Sequence, residues 1–300
     1  MTPSIFLRSA TMEARISPLG AELKSLRHFP HGELLWQGDP ASWEKTSPLL
    51  FPVIGRVAGD RIRIRGESYP MRQHGFAQSL RYEVVEKTEL SCLLVAEDDP
   101  ATWESYPFSF RLEVGYSLDE NKLTVSTAVF NTGRGVMPAS FGYHPGFRWP
   151  VEGGLPKSDH YIHFPDDSEI VVARPLDTLL GPQRSHMQLR GGIFQLDETE
   201  FLRGAIIALG PTSRSVQFAS KSGKLSIDVA FEGLSNLGFW MRPGHDFLCI
   251  EPWQGHADPH DFDGDFFDKP GLDLIAESSV VNYRLSICLN EHKSNKGLNN

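Results

Sequence analysis

The chain has 300 residues and a formal charge of -9, spread along the sequence rather than gathered in a tail, which argues against nucleic acid as a partner because phosphates would meet net repulsion. Hydrophobic residues make up 40% and charged residues 22%, the proportions of a chain that folds around a core, not of a disordered or fibrous one. The length fits one large or two ordinary domains, and no apolar run approaches the ~20 residues that span a bilayer.

Short alternating segments bounded by turn-forming residues run from end to end. In chain order they include Met12 to Ile16, Arg61 to Arg65, Phe108 to Leu118, Lys122 to Asn131 and Leu225 to Phe231. Arg61, Arg63 and Arg65 alternate with Ile62 and Ile64, the pattern of a strand with one solvated face. Phe108 to Leu118 and Lys122 to Asn131 read as a hairpin, because Asp119, Glu120 and Asn121 interrupt two runs of period-two apolarity. Helical candidates are brief, near Pro40 to Trp43 and near Asp273 to Ser278, so the pattern predicts an all-β class rather than an α/β class built on helical crossovers. The Gly/Pro-rich stretch Pro150 to Pro156 is loop-sized and no linker divides the chain, so residues 1–290 are expected to form one domain and residues 291–300 a frayed polar tail.

Cys92, Cys249 and Cys288 lack CxxC spacing and are odd in number, which predicts reduced, buried thiols rather than disulfides or a zinc site. With no basic-then-apolar leader pattern, cytoplasm is the expected compartment.

Four segments carry polar groups that core building does not require. In Pro48 to Arg56 an apolar run ends in Gly55 and Arg56, which reads either as a surface charge or as a guanidinium fork donating to sugar hydroxyls. In Gln73 to Ala77, His74 is either a satisfied core histidine or a ligand contact beside Gly75. In Ser140 to Phe147, His144 stands among aromatics and glycines. In Cys249 to Asp258, an apolar strand ends in Glu251, and an unpaired buried carboxylate is costly enough to favour a functional role. Trp253 in the same segment offers an aromatic face on which a sugar's CH face can stack, and Asp258 closes the segment as a further binding candidate.

Taken together, these segments resemble the aldose 1-epimerase (galactose mutarotase-like) superfamily, in particular its bacterial mutarotase-like branch. The resemblance runs over nearly the whole chain. It rests on Gly20-Ala21-Glu22-Leu23, Leu35-Trp36, Leu50-Phe51-Pro52 with Gly55-Arg56, His74-Gly75-Phe76-Ala77, Tyr106-Pro107-Phe108, Met137-Pro138 with Gly142 to Phe147, and Ile250-Glu251-Pro252-Trp253. It implies a β-supersandwich, no cofactor, no catalytic metal, and interconversion of the α and β anomers of a free aldose. By motif it implies His144 as general acid, Glu251 as general base, and Arg56 and His74 as substrate binders. Pro252-Trp253 departs from the Thr-Gln of galactose enzymes, so galactose specificity does not carry over. The segment Phe201 to Ala205 lacks the sugar-binding Asp of that family, with Asp197 or Glu200 as possible replacements.

Other readings remain open on the sequence: a hexose-6-phosphate mutarotase, a carbohydrate-binding or sensor protein with little turnover, and a metal-dependent hydrolase using the loop His256, Asp258, His260, Asp261, Asp263 and Asp265. That loop fails calcium-loop spacing, because Gly264 falls between carboxylates, and a solvated acidic loop is the plainer reading. The expected partner is a small sugar, with neither nucleic acid nor membrane involved. Oligomeric state is left open.

Overall fold

Strands Phe110–Asp119 and Lys122–Asn131 pair along their whole length, from Phe110 opposite Asn131 to Asp119 opposite Lys122, around a turn at Glu120 and Asn121 in which Glu120 takes φ +49°. Alternate residues are buried on both strands, as the period of two requires when one face meets a core. In the computed structural model, which describes residues 3–292, this hairpin lies within a nine-stranded sheet. The strand order is Ile193–Gln195, His160–His163, Ser215–Ser220, Leu225–Glu232, Val280–Glu291, Lys122–Asn131, Phe110–Asp119, Ser91–Glu97 and Glu83–Lys87.

A second, eight-stranded sheet runs Leu179–Gln188, Glu169–Leu176, Ile206–Leu209, Asn236–Trp240, Phe247–Gln254, Phe141–Tyr143 and Leu49–Leu50, with Gly146–Arg148 also pairing onto Phe247–Gln254. The two sheets pack face to face, giving the all-β sandwich that the sequence predicts. Tyr143 marks the contact: it leaves the eight-stranded sheet and donates its hydroxyl to Thr127 Oγ1 at 2.9 Å in the other. Beside it the Phe141 ring stacks on Tyr283 at 4.8 Å. One apolar cluster extends from Ile5 to Leu289. A smaller one, containing Leu50, Ile54, Ile207, Trp253 and Ala257, lies on the opposite face of the eight-stranded sheet. Alternation along Phe141 to His144 explains the split, since Phe141 and Tyr143 point into the sandwich and His144 points out of it.

Arg61–Ile64 forms a strand with both isoleucines buried and both arginines exposed, and Arg65 is exposed just beyond it. The expected helices do not form. Residues 40–43 make a turn closed by the bridge Asp39↔Trp43, held by the Trp36 indole donating to the Trp43 carbonyl at 2.7 Å. Asp273–Ile275 is instead a strand paired with Met137–Ala139, a tertiary pairing that overrides weak local preference. Among the described residues a short α-helix forms at Pro100–Trp103, started by a capping box between Asp99 and Thr102. At the C-terminal end the strand runs through Glu291, opposite Leu225, and the His292 amide donates to Lys224 O at 2.7 Å. Residues 291 and 292 are thus tied into the sheet rather than part of the expected tail, and residues 293–300 lie outside the described residues. All three thiols are free, with Cys92 and Cys249 buried and Cys288 half-buried. Among the described residues no helix is long and apolar enough to cross a membrane.

Candidate active site

His144 and Glu251 stand 107 positions apart and meet because their strands are antiparallel neighbours. Gly142 pairs with Trp253 and Gly146 with Cys249, a register in which His144 falls opposite Glu251. Pro145 has no N–H for the ladder, and its carbonyl accepts the Ile250 amide at 3.2 Å. The His144 amide donates to Pro48 O at 3.1 Å, so the backbone at this position is held from both sides. His144 Nε2 lies 3.2 Å from Glu251 Oε2. The two residues are 7% and 1% exposed, which keeps bulk water from competing for the proton between them.

Burial sets the protonation of the pair. It pushes the Glu251 carboxyl well above the usual carboxylate range. It pulls the His144 imidazole well below its usual range, and nearby His74 acts in the same direction. Each group alone is driven to its neutral form, and at 3.2 Å the two hold one proton between them with no net charge. The Trp253 indole N–H draws Glu251 back part of the way but lies outside hydrogen-bond geometry. Glu251 Oε1 and His144 Nδ1 therefore have no hydrogen-bond partner among the described residues.

The pair lies on the wall of a cavity of about 520 Å³, open to solvent and in the size range of small-molecule sites. Trp43, Trp240 and Trp253 supply its aromatic walls. Trp43 lies 5.0 Å from the His144 ring and meets Trp240 edge-on at 5.6 Å. Trp253 lies flat across Gly238, the residue opposite Glu251, where a Cβ would come within 2.5 Å of the indole. The cavity's polar groups are His144, Glu251, His74, Gln73, Gln78, Thr178 and Lys45.

His74 sits in the left-handed region at φ +64°. Its Nδ1 accepts the Gly55 amide at 3.1 Å, which leaves the neutral ring's N–H on Nε2, and the Gln73 side-chain amide 3.3 Å away accepts it only with its oxygen turned towards the ring. Burial lowers its pKa from 6.5 to about 4, so at neutral pH it is an uncharged donor. A folded-state value below the unfolded one means that the unfolded chain takes the proton first as pH falls. Stability associated with His74 is thus complete above about pH 6.5 and is lost progressively towards pH 4. Thermal unfolding checks this: the fall in Tm between pH 7 and pH 4.5 should be smaller in His74→Asn, whose amide oxygen can still accept from Gly55, than in the wild type.

The other sequence candidates are placed differently. Arg56 is not part of the cavity wall: its guanidinium clamps Asp60 through two bonds of 2.6 and 2.5 Å, and Nη1 lies 3.5 Å from the hydroxyl of the rim residue Thr178. Asp258 does not face the cavity. Its carboxylate pairs with buried Lys269 at 2.8 Å and accepts the Ala58 amide at 2.9 Å, so it ties the loop after the Glu251 strand to the segment after Arg56. Neither proposed replacement for the missing sugar-binding Asp reaches the cavity: Asp197 accepts the Thr199 amide, starting a short 3-10 helix, and Glu200 pairs with Arg174 at 2.7 Å. In the acidic loop, Asp265 accepts the amides of Arg65 and Phe267. Among the described residues the side chains that could share a metal are His28, His31 and Glu291 in one group and His144, Cys249 and Glu251 in another, and neither group uses that loop. Trp43, Trp240, Lys45 and Thr178 are cavity residues that the sequence motifs do not single out.

Comparison with known proteins agrees with this arrangement of strands. The aldose 1-epimerase family model matches residues 3–268. The chain is 26% identical over 296 residues to plasmid protein LacX of Lactococcus lactis subsp. lactis, covering 95% of this chain and 99% of that one. The crystal structure of a galactose mutarotase related enzyme from Lactobacillus acidophilus superposes with a TM-score of 0.91 at 28% identity, covering 99% of this chain and all of that one. A galactose mutarotase-like protein from Lactobacillus casei gives 0.87 at 25%, covering 96% and 100%.

Proposed function

The chain belongs to the aldose 1-epimerase family, and from that membership we propose that it interconverts the α and β anomers of an aldose, with His144 and Glu251 moving the protons. The observation that carries this reading is the buried 3.2 Å contact between them on the wall of an aromatic, sugar-sized cavity.

Ring opening needs a proton delivered to the ring oxygen while another leaves the anomeric hydroxyl. Both oxygens sit on one carbon, so a donor and an acceptor side by side serve them together. The shared proton first passes across the 3.2 Å contact from the carboxyl to the imidazole; His144 then gives it to the ring oxygen while Glu251 takes the proton of the anomeric hydroxyl. The pair still holds one proton, now on the carboxyl, and the sugar is an open-chain aldehyde. After rotation about the first carbon–carbon bond, the chain hydroxyl attacks the other face of the aldehyde. His144 recovers a proton from that hydroxyl, Glu251 returns one to the carbonyl oxygen, and the starting state is restored. The neutral imidazole of His74 donates from Nε2 to a sugar oxygen, and the tryptophans cover the CH faces.

A pair with two protons cannot accept, and a pair with none cannot donate. Burial disfavours both charged states, pushing the first below the ordinary imidazole range and the second above the ordinary carboxyl range. The expected kcat/KM profile therefore has no limb at the ordinary imidazole value and none at the ordinary carboxyl value. An acid limb centred on the ordinary imidazole value, followed by stopped-flow polarimetry, would contradict the shared-proton state.

Arg56→Ala should raise KM by less than about tenfold and leave kcat unchanged, because the side chain lies outside the cavity, clamped to Asp60, with Thr178 between it and the sugar. A phosphorylated aldose is a second reading favoured by Lys45, a cation on the cavity wall. Comparing turnover of glucose, galactose and their 6-phosphates, in the wild type and in Lys45→Met, distinguishes the two. A KM rise confined to the phosphorylated sugars assigns Lys45 to an anionic group.

A further inference from the structure

Cys249 takes no part in the proton transfers, yet it is fully buried next to the groups that do. It lies two residues before Glu251 on the same strand, so both side chains leave the same face of the sheet. His144 reaches that face from the neighbouring strand, and directly opposite Cys249 is Gly146, against which the Trp43 indole packs. One ligand atom from each of the three residues lies within 4.8 Å of the others. Glu251 Oε1, on a residue 1% exposed, has both lone pairs free of protein hydrogen bonds.

We propose that His144, Cys249 and Glu251 form a three-ligand site for a zinc-class divalent cation, and that filling it switches mutarotation off. The donor set is one imidazole nitrogen, one thiolate and one carboxylate, which suits a borderline-soft ion and not calcium or magnesium. His144 Nε2 and Glu251 Oε2 already stand 3.2 Å apart, close to the separation set by two metal bonds of about 2.0–2.1 Å at a tetrahedral angle. The sulfur supplies the third bond, and the fourth position opens on the cavity, where a water or a sugar hydroxyl completes the shell. Charge balances in this buried setting: one dication with one thiolate and one carboxylate is neutral overall.

Protons balance as well. The free site holds one on the thiol and one shared by the pair, and binding releases both to solvent. Apparent affinity therefore rises about 100-fold per pH unit while both groups are protonated. A filled site has no proton for the ring oxygen and no free base for the anomeric hydroxyl. Only this inhibitory consequence rests on the mutarotase reading, because binding itself depends on the three side chains alone.

Cobalt(II) added to the metal-free protein tests the site, since a thiolate bound to cobalt gives a charge-transfer band in the near ultraviolet that imidazole and carboxylate ligands do not. The expected result is a band that saturates at one equivalent, disappears in Cys249→Ser and in Cys249→Ala, and persists in His31→Ala, which removes the other metal-capable cluster. Zinc should inhibit wild-type mutarotation, and Cys249→Ser should raise the inhibition constant at least tenfold with metal-free turnover unchanged. Absence of the band in the wild type, or its survival in both Cys249 variants, would overturn the site. Zinc inhibition equal in wild type and Cys249→Ser would overturn the switch. A Cys249-dependent band in a protein without mutarotation would leave the site standing and defeat the proposed function instead.

Discussion

Glu251→Gln should lower kcat for mutarotation by about 10²–10⁴-fold, the contribution of one general acid–base group, with KM little changed. The amide keeps the size and shape of the carboxyl, so the Trp253 wall and the strand register are preserved, but it cannot take the proton of the anomeric hydroxyl. Tm should not fall, because a carboxyl 1% exposed is replaced by a group that never carries charge in an apolar setting. His144→Asn should cost a similar factor by removing the donor. Combining the two should cost little more than either alone, since one proton and both partners act as a unit. Multiplying penalties in the double variant, measured by polarimetry on freshly dissolved sugar, would show instead that the groups act separately. Normal rates in either single variant would refute the assignment.

The second large effect is structural. Gly75→Ala should destabilise the fold by more than about 4 kcal/mol, a cost confined to a few severe mechanisms. Gly75 sits at φ +69°, and a Cβ there would lie 2.1 Å from Phe51 O, an atom that cannot retreat. That carbonyl accepts the amides of Phe76 at 2.9 Å and Ala77 at 3.2 Å, and the neighbouring Phe51 amide donates to His74 O. The methyl would therefore break the bonds that hold His74 against the cavity. Gly32→Ala is the matched control: its φ is +82° but no atom lies within 4 Å of the added carbon, so it should cost only about 1–2 kcal/mol for the left-handed backbone. Denaturant unfolding of the two variants separates the clash from the conformational cost. Equal losses would mean that the Phe51 carbonyl yields.

Much of this arrangement is written in local pattern. Strands with one solvated face, such as Arg61–Ile64 and the hairpin around Glu120, are legible because alternation is a nearest-neighbour property. His144 and Glu251 stand out because a titratable group in an apolar strand is expensive unless it is used. Contacts across the chain are what the sequence hides. Trp43 and Trp240 look like ordinary core aromatics until Gly146–Arg148 and the Glu251 strand place them around His144. Asp258 looks free to bind a sugar until Lys269, eleven residues on, is seen to neutralise it. Arg56 has its partner at Asp60, four residues along, a pairing that pattern does not impose outside a helix. The missed strand Asp273–Ile275 has the same origin: its partner, Met137–Ala139, lies more than a hundred residues earlier.

Proton exchange spectroscopy of an equilibrated aldose follows the chemistry without labels or coupling enzymes. With the wild-type protein present, magnetisation should pass between the α and β anomeric protons at a rate linear in protein concentration, and Glu251→Gln should return it to the buffer rate. If glucose, galactose and both 6-phosphates show no exchange above buffer while a sugar demonstrably occupies the cavity, the His144–Glu251 pair is not a mutarotase centre and the protein is a sugar binder.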